Sequence, residues 1–126
     1  MSGLLAMNMI EVAPPIDGGF WTIPREANLF KISPYPETGT APCSTTYKTI
    51  YRINHSGADR FPEGSVITLL FPECGDCVPC VAIGHGGYIM LLGKTNFNPL
   101  TTATYSSLTL VSGGSGTWTE ISRNTK

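Results

Sequence analysis

Charge is what this sequence has least of. Lys, Arg, Asp and Glu together make up 13% of its 126 residues, against about 25% in an ordinary soluble domain. Its 8 basic and 9 acidic residues nearly cancel, leaving a formal net charge of -1. They form no basic stripe, which removes the attraction that phosphate-backbone binding depends on, so no nucleic-acid partner is expected. Histidine is limited to His55 and His85, too few and too far apart for the His-x-His set of a cupin-type metal enzyme. No apolar run approaches the roughly 20 residues of a membrane helix. The opening MSGLLAMNMIEV lacks the basic n-region, long h-region and small-residue cleavage site of a signal peptide. The expectation is no membrane partner and synthesis in a cytoplasm. Helical periodicity is missing as well, because Gly or Pro interrupts every window that begins to repeat at i, i+3, i+4, i+7.

Short β-branched and aromatic runs bounded by Gly, Pro and Asn take its place. They recur at Phe20 to Ile23, Asn28 to Ile32, Tyr47 to Asn54, Val66 to Phe71, Val78 to Ile83, Tyr88 to Leu92, Ser107 to Val111 and Thr117 to Ser122. The pattern predicts an all-β chain, a sandwich or jelly roll. Within Tyr47 to Ile53 the alternation places Tyr47, Thr49, Tyr51 and Ile53 inward and Lys48, Ile50 and Arg52 toward water. Val66 to Phe71 and Tyr88 to Leu92 are apolar on both faces, so each needs a second cover besides the opposing sheet. With so little charge to solvate a surface, a subunit contact is the natural cover.

Two domains' worth of length is not present. The expected organisation is a β-sandwich over residues 40–126 preceded by an extended arm over 1–39. Pro14, Pro15, Pro24, Pro34 and Pro36 and the pair Gly18-Gly19 keep that arm extended. It is too apolar for a solvated tail. Leu4, Leu5, Met7, Ile10, Phe20, Trp21, Ile23 and Phe30 are its candidate contacts with a partner surface. The expected core residues are Ile67, Leu69, Ile89, Leu91, Leu108, Leu110 and Trp118.

Chemistry-bearing constellations are few. Glu63, Glu73 and Asp76 sit beside turns, and no carboxylate pair shares a strand face where a general acid and base would meet. Gly84-His85-Gly86-Gly87 lacks the nucleophile elbow that an oxyanion loop would serve; it reads as a hairpin turn joining the strands on either side. Asn54-His55-Ser56 matches a glycosylation acceptor, a tripeptide without weight unless the chain is secreted. The stretch Pro72-Glu73-Cys74-Gly75-Asp76-Cys77-Val78-Pro79-Cys80 places three cysteines at C-x2-C-x2-C spacing. Thiolates so spaced can converge on zinc, with a fourth ligand from Cys43, His55 or His85. The alternatives are a redox CxxC, for which no βαβ context follows, and a loop of free or partly paired thiols. Without a secretory signal the four cysteines point to a reducing compartment at synthesis, disulfides remaining possible later. No catalytic residue, metal or cofactor is assigned.

Three ordered elements carry a resemblance. Gly64-Ser65-Val66-Ile67-Thr68-Leu69-Leu70-Phe71 comes first. Tyr88-Ile89-Met90-Leu91-Leu92-Gly93-Lys94-Thr95-Asn96-Phe97 follows. Ser107-Leu108-Thr109-Leu110-Val111 then leads to Gly116-Thr117-Trp118-Thr119-Glu120-Ile121-Ser122-Arg123. In this order they resemble the terminal jelly-roll module of bacteriophage tail fibres and related trimeric virion proteins, over roughly residues 47 to 123. The resemblance implies a jelly-roll-like antiparallel β-sandwich, a homotrimer and no enzymatic activity. The cysteine-bearing loop and the lack of a long shaft before the module are departures from that pattern. Similar small trimeric jelly rolls serve as capsid decoration, or cement, proteins. The expectation is therefore a decoration protein on the outer surface of the virion, bound to the major capsid protein. The alternative is a receptor-binding tip that takes a host glycan through loops near Tyr35, Tyr88 or Tyr105.

Overall fold

The computed structural model describes residues 9–75, 77–99 and 105–124. Nine strands carry the fold: β1 (Met9–Val12), β2 (Gly19–Trp21), β3 (Leu29–Ile32), β4 (Tyr47–Ile53), β5 (Val66–Pro72), β6 (Cys80–Ile83), β7 (Ile89–Met90), β8 (Tyr105–Ser112) and β9 (Trp118–Asn124). Among the described residues two short 3-10 segments, Gly57–Asp59 and Leu92–Lys94, the latter kinked at Gly93, interrupt the all-β character. Each of the eight expected segments contains a strand, and β1 is an addition.

Two sheets face each other across one core. The larger has the order β1-β3-β5-β8-β9-β7 and the smaller β2-β4-β6. Along the first six strands the chain alternates between them, and every pairing among those six is parallel. Each odd strand with the even strand after it makes one turn of a flattened coil, and three turns stack. This corrects the expected antiparallel sandwich: between strands, antiparallel pairing is confined to β5 with β8 and β8 with β9, besides a single antiparallel bridge from Ile83 of β6 to Phe97. A parallel neighbour needs a long crossover, and here the opposite sheet supplies it in place of a helix. The antiparallel pairing that defines a jelly roll thus holds only for the β5-β8-β9 part.

The Gly86-Gly87 turn changes role for the same reason. It does not close a hairpin, because β6 pairs with β4 while β7 pairs with β9; the turn, in which Gly86 N–H donates to the Ile89 carbonyl at 3.0 Å, carries the chain from one sheet to the other.

Residues 9–39 are not an arm. They supply β1, β2 and β3, and Trp21, Ile23, Phe30 and Ile32 belong to the same buried cluster as Ile50, Ile67, Phe71, Ile83 and Trp118. The prolines lie outside the strands, Pro14 and Pro15 before β2, Pro24 before β3 and Pro34 and Pro36 after it, where a missing N–H costs no ladder bond. Ile67, Leu69, Ile89, Leu91, Leu108, Leu110 and Trp118 are all buried. Trp118 meets Phe61 edge to face at 5.2 Å, and its Nε1–H donates to the Ile53 carbonyl at 2.9 Å, so its one polar atom is satisfied inside the core.

Strand β4 reverses part of the expected facing. Tyr47 and Tyr51 are exposed and Ile50 is fully buried. The register explains the second half of the strand: Gly19 pairs with Ile50 but Phe20 with Arg52, so Tyr51 is an extra residue in β4. Such a bulge turns two successive side chains, Tyr51 and Arg52, to the same outer face and returns Ile53 to the core.

Candidate interaction surface

The cysteines resolve first. Cys43 is bonded to Cys77 and Cys74 to Cys80, with Cα separations of 5.0 and 5.3 Å. Cys77 has a positive φ of 67°, which turns it out of the Cys74–Cys80 clip toward Cys43, while its carbonyl accepts from Thr38 N–H at 2.7 Å and Thr38 Oγ1–H at 3.0 Å. The C-x2-C-x2-C spacing therefore serves two different cross-links: Cys43–Cys77 ties the β3–β4 connection to the β5–β6 connection, and Cys74–Cys80 closes the β5–β6 connection on itself. All four sulfurs are in covalent pairs, and neither pair joins the CxxC neighbours 74–77 or 77–80 from which the zinc and redox readings are drawn. Among the described residues no group of three or more His, Cys, Asp or Glu side chains is placed to hold a metal.

Asn54 is equally spoken for. It is 1% exposed; its Oδ1 accepts from Ile23 N–H at 2.7 Å, and its Nδ2 donates to the carbonyls of Ile23 and Asp59, both at 2.8 Å. A side chain so buried and saturated is a structural bridge between the β2–β3 connection and the end of β4. It is no glycosylation acceptor in this fold.

One ion pair with a buried carboxylate and a partly exposed guanidinium lies on β9. Glu120, 3% exposed, accepts from Arg123 Nε–H at 2.5 Å and Nη2–H at 2.6 Å, and from Leu92 N–H at 2.8 Å. Residues three apart on a flat strand point to opposite faces. Here Thr109 pairs with Ser122 but Leu110 with Glu120, which leaves Ile121 as an extra residue in β9, and that bulge brings Arg123 back to the Glu120 side. The bidentate hydrogen bond to the carboxylate raises the Arg123 pKa above its ordinary value. The pair is bonding within the fold, with its carboxylate fully engaged.

Three surface features remain. The largest is the outer face of the six-stranded sheet. One row across it reads Val66, Val111, Thr119 and Met90 over β5, β8, β9 and β7. A second reads Met9, Leu29, Thr68 and Thr109 over β1, β3, β5 and β8, with the Thr68 and Thr109 hydroxyls 3.0 Å apart. The third reads Glu11, Lys31, Leu70 and Ser107. Charge in these rows is confined to Glu11 and Lys31 at one side of the sheet. Met9, Val66, Met90 and the bulged Ile121 are exposed, so this outer face is aliphatic and hydroxyl-bearing.

The second feature is a groove of about 400 Å³ walled by Pro14, Pro34, Pro36 and Pro79. Tyr35 and Lys48 form part of its lining: the Tyr35 hydroxyl donates to the Pro15 carbonyl, and Lys48 Nζ donates to the Ile16 carbonyl and stands 4.8 Å from the Tyr35 ring centroid. Burial, with a smaller contribution from the Asp17 carboxylate, raises the Tyr35 pKa. The third is on the outer face of the small sheet, where the Arg52 guanidinium carbon lies 4.4 Å from the Phe20 ring centroid and 4.0 Å from that of Tyr88. His55 meets Tyr88 edge to face at 4.7 Å.

The residues expected to contact a partner are therefore divided. Trp21, Ile23 and Phe30 are internal, and Trp21 Nε1–H donates to the Ala13 carbonyl at 2.9 Å. Ile10 is half-buried and packs against the core, whereas Phe20 stays exposed. Leu4, Leu5 and Met7 lie outside the described residues. The Arg52 stack was not legible from composition, because Phe20, Arg52 and Tyr88 meet only once the β4 register is fixed.

No family model, no curated protein and no solved structure matches this chain.

Proposed function

We propose that the chain is a non-enzymatic bacteriophage structural protein, a capsid decoration protein that forms a homotrimer on the outer surface of the shell. The observation that carries the reading is the outer face of the six-stranded sheet, whose rows hold aliphatic and hydroxyl side chains with charge only at Glu11 and Lys31. Three such faces around a threefold axis would give each strand with two apolar sides its second cover. The ordered likeness of Gly64 to Phe71, Tyr88 to Phe97 and Ser107 to Arg123 to trimeric virion modules supports the same assignment, as do two disulfides, which persist on virion surfaces.

With residues 9–39 folded into the sheets, contact with the major capsid protein falls to the segment bearing Leu4, Leu5 and Met7 together with the exposed Ile16. A truncation that tests it must stop before β1, because removing Met9–Val12 would strip an edge strand from the sheet. The protein lacking residues 2–8 is expected to keep its fold and trimer mass and to lose binding to shells stripped of their decoration. Undiminished binding would overturn the assigned contact, and detection of the chain in a few copies on tails would overturn the capsid location.

A further inference from the structure

We propose that Arg52, held between the rings of Phe20 and Tyr88, recognises the carboxylate of an acidic sugar, a role beyond the assembly function above. Phe20 comes from β2 on one flank of β4, and Tyr88 from the segment after β6 on the other. Centroid distances of 4.4 and 4.0 Å place both rings against the guanidinium. A ring lying against the face of a guanidinium leaves the N–H donors at its edge available, and among the described residues no acceptor takes a hydrogen bond from Arg52. Among the described residues no carboxylate pairs with that fork. The contrast lies within the same chain: Arg123 spends its Nε–H and Nη2–H on Glu120. A stacked and fixed guanidinium with its donors unspent matches a planar, two-oxygen acceptor, and its side-chain entropy is already lost before the ligand arrives.

The surroundings favour a sugar as the bearer of that carboxylate. Phe20 is 64% exposed and Tyr51 49% exposed, so both rings keep apolar surface open beside the fork for the C–H face of a pyranose. The bulge in β4 sets Tyr51 next to Arg52 on one side of the sheet. Tyr51 is seated over Gly84, where an added Cβ would come within 2.3 Å of its ring. An acidic peptide would look for main-chain partners, and β4 offers none, since it is paired on both edges by β2 and β6.

The test is an NMR titration of the full chain with the methyl glycosides of glucuronic acid and N-acetylneuraminic acid, following the Arg52 Nε–H and the Phe20 and Tyr51 ring signals. Methyl esters of the same sugars serve as neutral isosteres. At least one acid is expected to saturate these signals and its ester to bind about tenfold more weakly or worse. Arg52→Lys, which keeps the charge and loses the fork, should weaken binding about as much. The comparison of acid with ester needs no variant and so stands even if Arg52→Lys perturbs folding. Absence of saturation by both acids at millimolar concentration, equal affinity for acid and ester, or a glutamate-rich peptide binding as tightly at the same signals would overturn the proposal.

Discussion

The Glu120–Arg123 pair shows how one side chain can be kept in place by a local irregularity. The carboxylate is inside, its oxygens are taken by Arg123 and by the Leu92 amide, and the Ile121 bulge is what lets the two residues meet. Arg123→Ala is expected to cost about 2–3 kcal/mol in urea unfolding, because it strands a buried charge; Glu120→Leu added to it should recover part of that loss. Tyr35 gives a pH signature. Its folded pKa lies above the ordinary 10.0, so the fold favours the neutral phenol. That contribution is fully present below about pH 10 and is lost as pH rises through the folded value. The melting temperature should therefore fall in that alkaline window, and less steeply for Tyr35→Phe, which is less stable at neutral pH for want of the hydrogen bond to Pro15. At this scale the sequence told part: Leu108, Leu110 and Trp118 can be read from period-2 alternation, whereas in Val66 to Phe71 and Tyr88 to Leu92, apolar on both faces, alternation alone does not single out Ile67, Leu69, Ile89 and Leu91. The inversion in β4 could not be read, since the alternation does not record a bulge.

At the scale of elements, strand position was legible and strand pairing was not. Val, Ile, Tyr and Phe between Gly and Pro mark where a strand lies, but the same pattern serves a parallel or an antiparallel neighbour. The choice was made by the chain crossing from sheet to sheet after each strand. For the same reason the Pro-rich opening reads as an arm, when its prolines lie in the connections that link β1, β2, β3 and β4. The cysteine loop hid its partners because Cys43 is distant in sequence and its approach depends on how β4 lies beside β6. The Cys43–Cys77 bond pins the β3–β4 connection to the β5–β6 connection, and Cys74–Cys80 clips the latter on itself. The Cys43–Cys77 bond, across 34 residues, is expected to contribute about 4 kcal/mol, and Cys74–Cys80, across 6, about 2 kcal/mol. Unfolding of the paired Cys→Ala variants measures each, and the oxidised chain should weigh four hydrogens less than the reduced one. Equal masses would refute the cross-links.

At the scale of the whole molecule, one face of the six-stranded sheet is covered by the core, and among the described residues nothing packs over the aliphatic rows of the other. Val66, Val111, Met90 and Ile121 lie on that second face, with little charge to hold water against it. The low charge content of the sequence and the two-sided apolarity of β5 point to the same place, and self-association is the proposal that follows from both. A lysine in the middle of this face should dissociate the assembly without unfolding the subunit, because Val111 contributes to the outer rows and not to the buried cluster. Native mass spectrometry of the wild-type chain and Val111→Lys is the most direct measurement. The account predicts a species of three times the 13.5 kDa chain mass for the wild type and a folded single chain for the variant. A wild-type protein that stays at the mass of one chain at tens of micromolar would contradict it.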